Sequence, residues 1–361
     1  MVQKIESVKN KPGRTLSTNV VLSVTVFLII AAVGLAYIKW FPYWDKAFVA
    51  ATEHSIGASI VSGSNPTAPE PSWSAAWEYA VTYYRSVWKA AVLGIVLGAL
   101  VQVLIPANWL LRVLGKTTFG STLMGGLFSL PGMMCTCCAA PLAVGLRKKQ
   151  VSVGAALAFW LGNPTINPAT LVFMGFVLSW EFTLLRLVFG LILVFGVSYF
   201  ANRFGGRTSV PEELEDAPAE EQTAQTTESI WLRWLKSAWT LTLHVVPAYV
   251  IAVLVLGAAR AWLFPAFSEA QANSLWLIVL LSIAGMLFVI PTAGEIPIIQ
   301  TLMSFGLGAG PAAALSLTLP AVSLPSLLMI SKSFPKRVLI FVAAAVVVLG
   351  ILSGIVGAWV L

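Results

Sequence analysis

The chain alternates long apolar stretches with short polar segments, and the lengths of these stretches define the predicted elements. Five stretches are uninterrupted, at 20–39, 76–105, 183–201, 237–263 and 338–360. Four more, at 117–146, 151–179, 275–305 and 311–331, are broken by proline, glycine or asparagine. Roughly 20 apolar residues in a helix cross the hydrocarbon core of a bilayer. The pattern therefore predicts an all-α polytopic membrane protein.

The broken stretches carry clustered helix breakers rather than single ones. The breakers are Pro131, Gly132 and Pro141, then Asn163 to Pro168, then Pro291 to Pro297, then Pro320 and Pro325. Unwound backbone is tolerated at membrane depth only where protein or a water-filled cavity surrounds it. We expect re-entrant or broken hairpins at 117–146 and 275–305 and discontinuous helices at 151–179 and 311–331. Simple kinks in ordinary helices are the alternative.

The two halves of the chain repeat this order of parts. Pro131 and Pro291 lie 160 residues apart, and Pro168 and Pro325 lie 157 apart. Basic residues flank the first hairpin on both sides but not the second, so we predict two inverted repeats. The predicted domains are an N-terminal tail with an extra transmembrane helix and external loop (1–75), a first membrane repeat with the cysteine-containing hairpin (76–203), an acidic cytoplasmic linker (204–235) and a second inverted repeat (236–361).

Composition excludes an ordinary soluble protein. Hydrophobic residues make up 58% of the chain and charged residues only 10%, whereas about 25% of a soluble domain is charged. Seven of the 15 acidic residues lie in the linker, between Glu212 and Glu228. The net charge of +7 does not indicate nucleic-acid binding, because the basic residues cluster at the ends of apolar stretches. Lipid is the expected surrounding.

Basic clusters also predict the orientation, since they remain on the cytoplasmic side. The chain is expected in the cell inner (plasma) membrane, multi-pass, with a cytoplasmic N-terminus and a retained first helix. Residues 41–75 are expected as an external loop, and 106–116 as an interfacial helix. Arg186 and Arg260 are expected to reach the membrane interfaces.

Three cysteines, Cys135, Cys137 and Cys138, lie between two prolines at the first hairpin. Thiolates bind soft species such as trivalent arsenic, copper(I) or reactive sulfur compounds. We expect them to bind substrate, although cysteine also suits close helix packing as a small apolar residue. Their short spacing excludes a structural disulfide framework, and neither histidine has the spacing of a zinc ligand. No metal or cofactor site is predicted.

Four polar residues complete the candidate site. Glu295 is the one acid outside helix ends and loops, and an ionisable side chain at membrane depth indicates function. We expect Glu295 to take a coupling proton, or to cap the next half-helix. His244, in the middle of an apolar stretch, is a second candidate for proton coupling or a hydrogen bond between helices. Asn163 and Asn167, each followed by proline, are expected to bind substrate through amides and freed carbonyls.

The segment from Pro131 to Thr170 resembles the predicted-permease family of YraQ and the organoarsenical efflux permease ArsP. The resemblance rests on the residues Cys135, Cys137, Pro141, Lys148, Asn163, Pro164 and Pro168, with further similarity at Glu295 to Pro297 and Leu324 to Ser326. It covers roughly residues 80–360. It implies a secondary permease, in some members exporting trivalent arsenic compounds through thiol contacts. Cys138 departs from the family pattern, where small residues such as glycine are commoner.

These observations predict an inner-membrane secondary permease, not an enzyme, that moves a small thiophilic solute by alternating access between the two hairpin tips. A trivalent arsenical is the substrate that the resemblance favours. The alternatives are a transporter of an anionic sulfur species and a membrane thiol-redox protein. The expected partners are the small-molecule solute and the lipid bilayer. Glycine faces at Gly94, Gly98, Gly354 and Gly357 suit either internal packing or a homo-oligomer.

Overall fold

The computed structural model describes residues 18–63, 65, 67–205, 229–265 and 271–361, and these are helical apart from connecting loops and one isolated β-bridge between Ser59 and Gly63. In the first half the helices are α1 (Thr18–Leu35), α2 (Phe41–Glu53), α3 (Trp73–Leu104), α4 (Ala107–Leu114), α5 (Phe119–Ser129), α6 (Thr136–Lys148), α7 (Val153–Thr165), α8 (Pro168–Val177), α9 (Trp180–Leu191) and α10 (Ser198–Gly205). In the second half they are α11 (Ile230–Leu263), α12 (Leu275–Leu287), α13 (Glu295–Ser304), α14 (Ala309–Ala321), α15 (Leu324–Ile330) and α16 (Lys336–Val360). Two π-helical turns, Ala36–Trp40 and Ile192–Val197, join α1 to α2 and α9 to α10.

Five helical segments are long and apolar enough to cross a membrane. They are Val21–Glu53, Trp73–Leu104, Trp180–Gly205, Ala309–Ile330 and Lys336–Val360. Tyr249–Leu263 and Leu275–Leu287 are shorter apolar helices. The all-helical, multi-pass character that the sequence predicts is therefore confirmed, whereas the inverted orientation of the halves and the re-entrant path of the hairpins stay predictions.

Local sequence explains where eight of the sixteen described α-helices begin. A hydroxyl or amide side chain at the N-cap accepts a hydrogen bond from a backbone N–H that has no partner within the helix. The residues that do so are Ser72, Thr118, Ser152, Asn167, Ser179, Ser229, Ser274 and Ser323. These eight helices thus begin where the sequence provides a cap.

All four predicted interruptions separate helices in the structure. The chain is non-helical or turned at 130–135, 166–167, 288–294 and 322–323. Pro141 and Pro320, however, lie inside α6 and α14. A single proline is accommodated in a helix when neighbouring groups satisfy the freed carbonyl, so the actual breaks are shorter than predicted.

The expectation of a loop over all of 41–75 is wrong, because α2 occupies Phe41–Glu53 and continues the first helix. The π-helical turn that precedes Pro42 shifts the hydrogen-bonding pattern where proline lacks its N–H, as π-turns do within longer helices. α2 packs against α8. Both ends of the predicted linker, 204–235, are helical, since α10 reaches Gly205 and α11 begins at Ile230. Residues 206–228 lie outside the described part.

The centre of the molecule is formed by α7 and α14, whose residues are almost all buried. α5 and α10 pack on α7, and α12 and α16 pack on α14. α3 packs against both α6 and α11. The broken segments are therefore surrounded by protein, as unwound backbone at membrane depth requires.

Candidate site between the two helix breaks

The first break, at residues 130–135 between α5 and α6, places two thiols in contact. Cys135 is the N-cap of α6 and Cys138 lies in its first turn, and their Sγ atoms are 3.1 Å apart. Both cysteines are buried and free. The distance is well above the roughly 2.05 Å of a disulfide bond. Two thiols at a helix N-terminus, where the helix dipole favours thiolate, form a two-point soft ligand.

Helix packing fixes the backbone that carries these thiols. Gly94 and Gly98 of α3 lie against the carbonyl oxygens of Cys138 and Pro141, where a side chain would collide. These glycines therefore pack internally, one of the two uses that the sequence allowed. Trp160 on α7 donates a hydrogen bond of 2.9 Å to the Thr136 carbonyl. The first turn of α6 is held from both sides.

The third thiol faces the second half of the chain. Cys137 Sγ lies 3.7 Å from the hydroxyl of Ser323, the N-cap of α15. Ser323 and Ser326 form a capping box. The hydroxyls of Tyr83 and Tyr249, 2.5 Å apart, form a buried pair between α3 and α11. Cys137 thus joins the two halves, while Cys135 and Cys138 form a separate pair.

The break at residues 288–294 between α12 and α13, which we call the second break, is followed by Glu295 at the start of α13. The Glu295 carboxylate forms an ion pair with Arg186 of α9. The distance from Arg186 Nη1 to Glu295 Oε1 is 2.6 Å, and both side chains are at most 1% exposed. A carboxylate in a dry environment is stable when it is paired in this way. The expectation that Arg186 reaches the interface is therefore wrong. Arg260 is also buried, at 4% exposure.

Arg186 also closes the break between α7 and α8. Its Nε donates to the Thr165 carbonyl at 3.2 Å, and its Nη2 donates to the Pro164 carbonyl at 2.8 Å. These carbonyls end α7, and Pro168 cannot donate to one of them. Sequence analysis missed this role, although Arg186 and Glu295 are lone opposite charges in apolar stretches, and such charges pair within membranes.

Five buried polar atoms around this break have no hydrogen-bond partner. They are Asn163 Oδ1, Thr165 Oγ1, Asn167 Nδ2, Thr170 Oγ1 and Glu295 Oε2. The other atom of each amide is bonded: Asn163 donates to the Phe159 carbonyl, and Asn167 caps α8. Buried polar groups are normally satisfied. Their concentration at one place indicates hydrogen-bonding capacity for a polar ligand.

A small cavity joins the two breaks. Its lining includes Cys135, Thr170, Pro291 and Glu295. The structure therefore brings Cys135 and Glu295 to one space, whereas Asn163 and Asn167 are not part of its lining. The side chain of His244, on α11, lies outside the described part. In the described ranges no three His, Cys, Asp or Glu side chains form a group that could hold a metal ion.

Comparison with known proteins gives consistent results. A family model described as predicted permease, ArsP_1, matches residues 132–358. UPF0718 protein YraQ of Escherichia coli (strain K12) is 53% identical over 331 residues, 91% of this chain and 93% of YraQ. UPF0718 protein MJ0584 of Methanocaldococcus jannaschii is 25% identical over 281 residues, 61% of this chain and 77% of that protein. No solved structure gives a significant match.

Proposed function

The chain belongs to the predicted-permease family, and from that premise we propose that it is a secondary permease moving a small thiophilic solute, with a trivalent arsenical as the representative substrate. The observation that carries this proposal is the pair of free thiols, Cys135 and Cys138, 3.1 Å apart beside the cavity between the breaks. Each thiol can give up its proton and displace one hydroxyl from trivalent arsenic, and the hydroxyl and the proton leave together as water. Two such bonds hold the solute at the helix start, and the reverse reaction with water releases it.

An anionic sulfur species is the second candidate. It is favoured by the unpaired buried polar atoms at the α7–α8 break, among them the donor Asn167 Nδ2. The thiol-redox alternative has support in the spacing of Cys135 and Cys138, a Cys-x-x-Cys pair whose significance the sequence analysis missed. A redox cycle also needs an electron donor, and the family is one of permeases.

Alternating access between inverted repeats is the proposed mode of movement. Its support is the matched construction of the two hairpins: Met133 and Ala293, each two residues after the equivalent proline, both have a left-handed backbone, with φ of 48° and 66°. Such φ values are uncommon for residues other than glycine. In this topology, reagents that do not cross the membrane label residue 65 from outside and residue 220 from the cytoplasm. The reverse labelling would contradict it.

Glu295 remains the proposed coupling site, now together with Arg186. Protonation of Glu295 would remove the partner of Arg186, whose guanidinium also holds the carbonyls of the α7–α8 break. A proton would thereby loosen the wall of the cavity. Glu295→Gln is expected to abolish pH-driven transport while solute exchange survives. Unchanged pH dependence would contradict this role. His244 stays a prediction of the same kind.

The direct test is transport in proteoliposomes. Wild type is expected to move methylarsenite, and the variant Cys135→Ala/Cys138→Ala to lose at least about tenfold of that rate, since both soft ligands are gone. Ser304→Ala, at an exposed hydroxyl, is the control and is expected to match wild type. Cys135→Ala/Cys137→Ala, which removes one thiol of the contact pair and the third thiol, is expected to lose transport as well. Wild-type rates for every candidate solute in these double variants would refute the thiol site.

A further inference from the structure

A second, larger chamber lies between α2, α3 and the second break. Its wall includes Lys39, Lys46 and Lys89, together with Cys138 and Thr292. The charged residues of this lining are all basic. Thr292 and Ala293 line both this chamber and the small cavity between the breaks. The second break is thus the wall between the two spaces.

Lys39 is the unusual member of this lining. It is 5% exposed, although the helix that carries it lies at the periphery with few buried residues. Its Nζ bonds to the Tyr43 hydroxyl at 2.9 Å and to the Thr292 hydroxyl at 3.1 Å. Within the described part of the chain, no carboxylate forms an ion pair with Lys39. Its hydrogen-bond partners are neutral hydroxyls, and the nearby groups that can carry a negative charge are the thiols of Cys135 and Cys138.

The π-helical turn Ala36–Trp40 contains Lys39. Such turns insert one residue into a helix and recur at functional sites. A buried cation without a carboxylate partner is costly, and an ionisable residue at membrane depth is retained for function. Lys46 and Lys89 add two more positive charges to the same wall. The lining thus carries three positive charges and no carboxylate, and a small anion in this chamber would offset that excess.

We propose that the Lys39 chamber is a binding site for a small inorganic oxyanion, at the approach to the thiols. This proposal rests on the proposed permease function, because the site would bind an anion on its way to the thiols. Lys39 would supply the buried charge, the Thr292 hydroxyl would donate to an oxyanion oxygen, and Lys46 and Lys89 would attract the anion. Cys138, on the floor of the chamber, also contacts Cys135, so the bound anion would lie beside the thiol pair.

Anion binding to the purified protein in neutral detergent tests this proposal. Thiosulfate and sulfate are titrated by calorimetry against wild type, Lys39→Gln and Lys332→Gln, the last being an exposed lysine outside the chamber. Lys39→Gln is expected to lose at least about tenfold in affinity, since a hydrogen bond to a charged group is removed. Lys332→Gln should match wild type. Lys39→Arg keeps the charge and should retain more affinity than Lys39→Gln.

Three results would refute the proposed oxyanion site. The first two are no binding of either anion by wild type and equal affinity in Lys39→Gln. The third is displacement of thiosulfate by detergent-solubilised phosphatidylglycerol, which would assign the lysines to a lipid headgroup. Thermal unfolding of each variant verifies that it is folded. A preference for thiosulfate over sulfate would place the anion's sulfur beside Cys138. Anion binding is measured without transport, so the two proposals are tested separately. Failure of methylarsenite transport would refute the proposed function, whereas the oxyanion site would still be tested by the binding measurement.

Discussion

The helix breaks at 130–135 and 288–294 are built alike, each with a left-handed residue two positions after a proline, yet different forces hold them. The first break is held by close helix packing, in which glycines of α3 lie against α6. The second break is held by a buried ion pair between Glu295 and Arg186. Consequently the reactive groups of the first break remain available to a solute, whereas the carboxylate of the second break is already engaged on one oxygen.

From the sequence alone the thiols and Glu295 occupy matching places in the two hairpins, whereas the structure gives them different partners. A pair of thiols can exchange partners without leaving an unpaired charge behind. A buried carboxylate can change partners only if Arg186 is released or the carboxylate is protonated. This difference supports the proposal that the first break contacts the solute and the second controls the cavity wall.

The largest effect is expected from removal of one member of the ion pair. Glu295→Leu leaves Arg186 charged and unpaired, and should lower the free energy of unfolding by about 3–5 kcal/mol. Arg186→Met should cost at least as much, because the carbonyls of Pro164 and Thr165 also lose their donor. Thermal unfolding of the purified variants in detergent measures both.

The double variant Arg186→Met/Glu295→Leu provides the control for that pair. It removes both charges, and should be more stable than Arg186→Met alone, because replacing a buried ion pair with apolar residues is often nearly neutral. Strictly additive losses would mean that the two charges do not stabilise one another.

An intermediate effect is expected where packing holds the first break. Gly94→Ala places a methyl group against the Cys138 carbonyl, and should lower the free energy of unfolding by about 1–3 kcal/mol, as overpacking does. It should also weaken methylarsenite binding, since α6 must move. Gly120→Ala in α5 meets no neighbouring atom and should be neutral or stabilising. Equal effects at the two glycines would argue against the packing account.

The smallest effect is expected with the opposite sign. Thr170→Val removes a buried hydroxyl that has no partner, and should raise the free energy of unfolding by about 1 kcal/mol while lowering solute affinity. Thr318→Val, where the hydroxyl donates to the Ala314 carbonyl at 2.9 Å, is the matched control and should not be stabilising. A less stable Thr170→Val would show that its hydroxyl is satisfied.

Much of the framework was predictable because it depends on local chemistry. Proline clusters and caps such as Asn167 and Ser323 fix where helices stop and restart, and hydropathy fixes their membrane character. The loop predicted over 41–75 is wrong for residues 41–53, because a π-helical turn continues the helix past Pro42 and α2 packs against α8. Neither feature is visible in local polarity.

The sequence by itself determined the helical, membrane-embedded class, the four breaks and the cysteine cluster, because each follows from neighbours along the chain. Only the tertiary structure decided the partners. Glu295 meets Arg186 across 109 positions, and Lys39 meets Thr292 across 253. Such pairs depend on how helices from both halves fold around α7 and α14. In the low dielectric there an unpaired charge or hydroxyl is costly, so each one that the fold retains points to a function.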